Sequence, residues 1–256
     1  MNILLTNDDG VNSGGLQKLA EILRSRENKV QIIAPDQDRS GVSHGISFIN
    51  GPLKLSELGE DTWSCSGLPA DCVALMLSGV FPQKPDLVLS GINQGANLGT
   101  DILFSGTAAA ARHASLKGIP SIALSLAGEA PYNWDMAAAW IGDHLEELLG
   151  YWRENTFVNV NIPNGSGSPQ GMASTWPAVK HYKDKLSINT DRNGVQWCFI
   201  VSGEETIEQE PGSDCDVVSR NLVSVSTVYN FSVVLRDLCP GVPDHAAVAS
   251  RGRVKE

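Results

Sequence analysis

At 256 residues, with 42% hydrophobic residues, the chain is long enough for one large domain with an appendage and too apolar to be mainly disordered. Its formal net charge of −10 repels polyphosphate backbones, which disfavours a nucleic-acid polymer as partner and leaves a small phosphate ester open.

Asn2–Thr6 reads as a buried strand that emerges at Asn7-Asp8-Asp9-Gly10. Leu16, Leu19, Ala20 and Leu23 recur at helical spacing and predict a helix from about Gly15 to Arg26, and Lys29–Pro35 predicts a second buried strand. Strand, helix and strand in close succession make a βαβ unit with parallel strands and a right-handed crossover. Residues 46–65 alternate apolar and polar and predict short antiparallel strands beside the parallel sheet. A helix entered at Pro69 carries Val73, Leu75, Met76 and Leu77 to the core. Asp86–Ser90 predicts a strand that opens the Gly- and Asn-rich loop Gly91–Asp101. An Ala-rich helix follows Ser105-Gly106-Thr107, then a strand over Ile119–Ser125, an amphipathic helix over 134–150 and a strand of period two over Phe157–Ile162.

Past Pro163, strand-like segments at 196–201 and 222–228 dominate, with no helical period before 230–238 and none from Gly241 on. The expected fold is Rossmann-like: a doubly wound, mostly parallel α/β sheet over 1–163, with 164–256 as a β-rich oligomerisation arm or site cover and a tail. Cys65, Cys72, Cys198, Cys215 and Cys239 show no Cys-x-x-Cys pair, which fits free thiols in a reducing compartment. No basic, apolar leader precedes the first strand and no apolar run nears the roughly 20 residues that span a bilayer, so a cytoplasmic protein is expected.

Ligands of an open parallel sheet bind at the carboxyl ends of its strands. Three such ends carry Asp8-Asp9, Ser40, and Asn93 with Asn97. Carboxylate, hydroxyl and amide oxygens are hard donors, suited to magnesium, manganese or calcium and poorly suited to zinc or copper. Singly, an Asp pair is more often a turn or cap, Ser40 a loop serine and Asn93 an Asx-turn residue; the conjunction carries the reading. Ser105-Gly106-Thr107 sets two hydroxyls and unpaired N–H groups at a helix start, a site for a phosphate oxygen or an ordinary N-cap. Among His44, His113, His144, His181 and His245 no metal-ligand spacing occurs. His44, beside the Ser40 loop, is the one candidate proton donor or substrate contact, and His144 reads as surface.

Together, Asn7-Asp8-Asp9-Gly10, Ala34-Pro35-Asp36 with Arg39-Ser40, Gly67-Leu68-Pro69-Ala70-Asp71-Cys72-Val73, and Ser90-Gly91-Ile92-Asn93-x-Gly95-x-Asn97-x-Gly99 with Ser105-Gly106-Thr107 resemble the SurE family over roughly residues 1–125. Later landmarks stand at 157–163, Pro211–Asp214 and Val223–Ser226. The resemblance implies a metal-dependent phosphatase that hydrolyses nucleoside 5′-monophosphates, and 3′-monophosphates as well, with short polyphosphate as a side substrate. It implies one divalent cation (magnesium, manganese or calcium) per subunit on Asp8, Asp9, Ser40 and Asn93, with Asp8 and Asp9 catalytic. Gly41, Asn97, Ser105, Gly106 and Thr107 are then placed around the substrate phosphate, and C-terminal arms exchange to form a homodimer or homotetramer. No nucleic-acid polymer and no membrane is implied. The chain departs from the family pattern at His113 and Ala114, where an acidic residue and a glycine are usual, and over 164–220, so substrate preference and oligomer geometry are the open points.

Three other readings fit less well. A haloacid-dehalogenase-type phosphatase needs its two acids one residue apart. A receiver-like signalling domain needs a phosphoacceptor Asp on a central strand and a later Lys, where this chain shows Ser40, Asn93 and Ser125. A dinucleotide-binding module needs a G-x-G-x-x-G turn where Asn7–Gly10 places negative charge.

Overall fold

The computed structural model describes residues 1–231 except 82, 202, 204 and 209. Cys239, His245, the stretch from Gly241 and the expected helical period beyond Phe231 lie outside the described residues. The elements run β1 (Asn2–Thr6), α1 (Gly14–Ser25), β2 (Lys29–Pro35), β3 (Leu55–Gly59), β4 (Thr62–Cys65), α2 (Pro69–Leu75), β5 (Leu87–Gln94), α3 (Gly106–Ser115), β6 (Ser121–Ala127), α4 (Trp134–Leu149) and β7 (Thr156–Pro163). They continue with β8 (Met172–Thr175), β9 (Lys180–Tyr182), β10 (Lys185–Thr190), β11 (Gln196–Val201), β12 (Glu205–Ile207), α5 (Asp214–Ser219) and β13 (Val223–Tyr229).

β1 carries Ile3, Leu4 and Leu5 in succession, all fully buried. Alternate side chains of a strand point to opposite faces, so three consecutive apolar residues require a layer on each side. Ile3 and Leu5 pack into the cluster formed with Leu16, Leu19 and Leu23 of α1 and Ile141 and Leu148 of α4. Leu4 joins Ile33, Val88, Val73 of α2 and Ala110 and Ala114 of α3 on the other face. Each such leucine or isoleucine contributes about 1.5–3 kcal/mol by leaving water. The Ala108–Ala111 run of α3 is both a strong helix former and thin enough to lie close against the sheet, where all four residues are buried.

The main sheet has nine strands in the order β3-β4-β2-β1-β5-β6-β7-β13-β8, and every pair from β4 to β7 is parallel. From β1 the chain crosses to β2 on one side and later returns to β5 on the other. The order therefore reverses beside β1, and a crevice opens above its carboxyl end. β3 and β4 are antiparallel to each other as expected, but β4 pairs parallel with β2.

Three expectations change. β5 does not stop at Ser90: it runs to Gln94, with a bulge against β6 between Ser90 and Asn93, so Asn93 sits on a strand end rather than in a loop. Gly91 makes this possible, because at φ +137° its Cα lies so close to Leu124 that a Cβ would come within 2.2 Å of the carbonyl oxygen. The rest of the expected loop contains a 3-10 turn, Gly99–Leu103. In the region expected to lack helix, α5 forms behind its N-cap Ser213; six residues are too few to show a period.

The sheet also reaches past 163, since β13 pairs antiparallel with β7 and β8 lies beyond it. The remaining strands form two antiparallel ribbons, β9 with β12 and β10 with β11. The second ribbon is exposed along its whole length and shows water Leu186, Trp197, Phe199 and Ile200, the last 76% exposed. Cys65, Cys72, Cys198 and Cys215 are free thiols. Among the described residues no helix is long and apolar enough to cross a membrane.

Candidate active site

Where β1 emerges, Asn7 closes a tight turn by donating its Nδ2 to the Gly10 carbonyl at 3.0 Å and to Ser13 Oγ at 2.6 Å. The turn leaves Asp8 and Asp9 at the point where the strand order reverses. Asp8 is 3% exposed. The hydroxyl and backbone N–H of Thr107 hold its carboxylate, and its backbone carbonyl accepts the Arg39 N–H at 2.7 Å. Asp9 is half-buried, and its Oδ2 accepts the backbone N–H of Gln94 at 3.2 Å.

Burial raises the pKa of both carboxyls. For Asp8 the Thr107 hydrogen bonds pull the other way. For Asp9 the adjacent Asp8 charge adds to burial and the carboxyl is pushed up to about 6, against the pull of the Gln94 N–H. Among the described residues no Lys, Arg or His forms an ion pair with either acid. Arg39, whose backbone N–H reaches the Asp8 carbonyl, turns its guanidinium away to Asp36 and the Ser66 carbonyl.

Ser40 is exposed after β2 and donates both its N–H and its hydroxyl to Asp38 Oδ1, at 2.8 and 2.6 Å, so its oxygen lone pairs face outward from that bond. Gly41 follows with φ +73° and open space around it. Asn93 donates Nδ2 to the Gly95 carbonyl at 3.0 Å, which fixes its amide. Asp9, Asp38, Ser40 and Gln94 line one cavity of about 340 Å³, with Ser13 and Trp134 completing its wall.

Ser105 is the N-cap of α3, accepting the Ala108 N–H at 3.0 Å, which is the ordinary use of a serine there. Thr107 is fully buried and turned to Asp8. Gly106 is needed between them, because a Cβ on it would stand 2.8 Å from Asp8 Cβ and 2.9 Å from its Oδ2. The helix start and Asp8 are thus in direct contact, as the spacing could not show. Asn97 is placed differently. It is 7% exposed, donates Nδ2 to Ser125 Oγ at 2.9 Å and its N–H to Asn161 Oδ1 at 2.8 Å, and its carbonyl accepts from Asn159 and Asn161. Its Nδ2 and its backbone N–H bond to β6 and β7 respectively, and among the described residues no hydrogen bond joins it to either acid.

The segment that leads into α3 is held from the C-terminal third. Buried Asp214 accepts the N–H of Gly99 at 2.7 Å and of Ala178 at 2.9 Å. Lys180 pairs with Asp101 at 2.8 Å and Glu205 at 2.7 Å, and the Tyr182 hydroxyl also donates to Asp101. Asp38 and Gln94 are site residues that the sequence reading missed. Asp38 had a signal, an acceptor two residues before Ser40; Gln94 acts through its backbone and had none.

His44 and His113, far apart in sequence, meet at 3.2 Å between Nε2 and Nδ1. Burial first, then the charges of His113 and Arg112, push His44 down to about 4, so it is neutral at pH 7 and is no cationic proton donor. His144, expected at the surface, is half-buried and stacked on Trp140.

A divalent cation suits this donor set. A buried acid and a half-buried one, with no basic partner among the described residues, require a counter-charge. The neutral oxygens at the neighbouring strand ends belong to Ser40, which lines the cavity with Asp9, and to Asn93, which precedes Gln94. Among the described residues no three His, Cys, Asp or Glu side chains converge as a metal-ligating group. Two carboxylates completed by neutral oxygens and water match a magnesium-type ion, not a zinc site.

The family model described as survival protein SurE matches residues 3–184. A 5′-nucleotidase SurE from Prochlorococcus marinus (strain MIT 9301) is 36% identical over 244 residues, covering 89% of this chain and 90% of that protein. Its counterpart from Thermoanaerobacter sp. (strain X514) is 37% identical over 234 residues, covering 90% and 92%. The crystal structure of the SurE protein from Aquifex aeolicus superposes with a TM-score of 0.80 at 35% identity, covering 93% of this chain and 97% of that one. With residues 3–184 matched by that family model and about nine-tenths of its length covered by these relatives, the chain belongs to the SurE family.

Proposed function

We propose that this protein is a metal-dependent nucleotidase, hydrolysing nucleoside 5′-monophosphates to nucleoside and inorganic phosphate in the crevice above β1. The observation that carries this reading is the Asp8–Asp9 pair at the reversal of strand order, without a basic partner among the described residues and with the buried Asp8 in contact with the N-terminus of α3. The relatives named 5′-nucleotidase support the substrate class.

Asp8, Asp9, Ser40 and Asn93 would hold one magnesium, manganese or calcium ion. A cation bound there supplies charge neutralisation on the phosphoryl oxygens and a more acidic bound water. Thr107 locks Asp8 in one orientation. Asp9, whose Oδ2 is fixed by Gln94, has its other oxygen available to orient the attacking water in line with the phosphorus. The bond from phosphorus to the 5′ oxygen breaks as the bond to the water oxygen forms, and the proton given up by the water ends on the departing 5′ oxygen, releasing nucleoside and hydrogen phosphate. Gly41, with space around its backbone, and the start of α3 at Ser105, Gly106 and Thr107 receive the remaining phosphate oxygens through N–H and hydroxyl groups. Asn97 fixes the loop through Ser125, Asn159 and Asn161 and has a second Nδ2 N–H for a phosphate oxygen.

3′-Monophosphates and short polyphosphate end in the same phosphoryl group, and we extend the reading to them. The β10–β11 ribbon, with Trp197, Phe199 and Ile200 in water, docks on a second copy to form a dimer or tetramer. The free thiols among the described residues support the expected cytoplasmic location. The test is phosphate release from AMP with magnesium or manganese: it stops with EDTA and in Asp9→Asn, whose circular dichroism matches wild type. A near wild-type rate for Asp9→Asn overturns the reading.

A further inference from the structure

Two cavities meet at one side chain. The acidic crevice of about 340 Å³ has Trp134 in its wall. A larger cavity of about 650 Å³ lies between the outer face of α1 and the segment Tyr132–Asp135, and Trp134 and Gly14 line it too. Trp134 and Gly14 therefore stand on the boundary that the two cavities share. Trp134 is wedged against the start of α1: a Cβ on Gly14 would lie 2.9 Å from its Nε1, and one on Gly15 3.0 Å from its Cζ3. Tyr132 stacks on it, with ring centroids 5.0 Å apart and planes 23° from parallel.

The link between the two rings is equally fixed. Asn133 donates its N–H to Asn164 Oδ1 at 3.0 Å and its Nδ2 to the Gly165 carbonyl at 3.1 Å, and accepts the Met136 N–H at 3.2 Å. Both rings are half-buried and neither is needed by the hydrolysis derived above. A pre-oriented aromatic surface beside a phosphate site is suited to a flat base, because the rings lose little conformational freedom when it binds. Lys18 and Glu21, with Asp135 opposite at 3.0 Å from the Lys18 Nζ, supply polar groups around the rim for a base edge.

We infer that the Tyr132–Trp134 stack is the nucleobase platform of this enzyme: a nucleoside monophosphate lies with its phosphate over Asp8 and Asp9 and its base across the stack. This rests on the nucleotidase reading and names the specificity-determining residues of the same site.

The test compares AMP with ribose 5-phosphate, which lacks the base, in wild type, Tyr132→Ala and Tyr132→Phe. Tyr132→Ala lowers kcat/KM for AMP about tenfold, mainly through KM, as expected from base-stacking losses of about 1.4 kcal/mol. Its activity on ribose 5-phosphate stays within about twofold of wild type, and Tyr132→Phe retains the AMP rate because the ring persists. An equal fall on both substrates, or no fall on either, overturns the platform. Equilibrium dialysis with adenosine separates this from the catalytic reading. Wild type retains adenosine and Tyr132→Ala does not, whether or not any ester is hydrolysed. Equal retention by both, or none by wild type, overturns the platform.

Discussion

Replacing Asp9 with asparagine should destroy the activity and stabilise the metal-free protein. In the fold the Asp9 carboxyl is raised from the ordinary 3.8 to about 6 by burial and by Asp8. A group raised in this way is favoured as the neutral acid. Its contribution to stability is fully present below the unfolded value near 3.8 and is lost as pH rises through about 6. At pH 7.5 the ionised pair therefore works against folding, by about 3 kcal/mol as an upper bound. Asp9 opens onto the cavity, where water screens it, and about 1–2 kcal/mol is the realistic figure. Asn removes the charge and keeps an oxygen to accept the Gln94 N–H. The melting temperature of Asp9→Asn in EDTA at pH 7.5 should then exceed that of wild type by about 2–8 °C. The gain should fade as pH is lowered towards 4, and saturating magnesium should raise wild type only. The assay is thermal melting by circular dichroism at both pH values, with and without metal. An Asp9→Asn melting point equal to or below wild type in EDTA at pH 7.5 refutes the account of an unpaired acidic pair.

Thr107→Val leaves the buried Asp8 carboxylate without its hydroxyl donor and should cost about 1–3 kcal/mol in urea unfolding and most of the nucleotidase rate, while Thr107→Ser restores both. Gly106→Ala forces a methyl to within 3 Å of Asp8; kcat should drop about tenfold or more with the circular dichroism spectrum unchanged, and an unaffected kcat would show that Asp8 can move freely. Asp214→Ala strips the acceptor from the N–H groups of Gly99 and Ala178. It should lower stability by about 3 kcal/mol, seen as a reduced urea midpoint. Ile200→Glu places charge on the ribbon proposed above as the interface and should give a smaller species than wild type in light scattering, with the fold retained.

The parts of the fold that were legible were those whose burial repeats along the chain. Ile3-Leu4-Leu5 announced a strand covered on both faces, and Leu16, Leu19 and Leu23 announced the helix that covers one of them. The acid pair could be placed because a strand end fixes where its next residues emerge. β5 past Ser90 was not legible: Gly91, Asn93 and Gly95 have loop composition, and only the ladder to β6 makes Asn93 and Gln94 part of a strand. Asn97 shows a second limit, since a loop asparagine aimed at phosphate and one bound to Ser125 look identical until the partners from β6 and β7 are in place. The His44–His113 contact joins residues 69 apart, a separation that carries no periodic signal.

The same argument explains an oddity of β7. A central parallel strand favours Val or Ile on both faces, yet Asn159 and Asn161 point to one face and are fully buried. Burying an amide costs about 1–3 kcal/mol unless it is bonded. Here each Nδ2 reaches the Asn97 carbonyl, at 2.9 and 3.0 Å, and Asn161 Oδ1 takes the Asn97 N–H. Asn159 Oδ1 finds no partner among the described residues, so the arrangement is less stable than an apolar pair of the same volume would be. What it gains is one fixed point in the chain between Asn93 on β5 and Ser105 on α3. Asp214 and Lys180 fix the same segment from its other end. The acids of β1, the amide of β5 and the start of α3 can act on one phosphate only if that intervening loop does not drift. The stability given up at Asp8 and Asp9 lies in the crevice, and that given up at Asn159 lies under the loop that joins β5 to α3, where chemistry rather than packing decides which residues the fold carries.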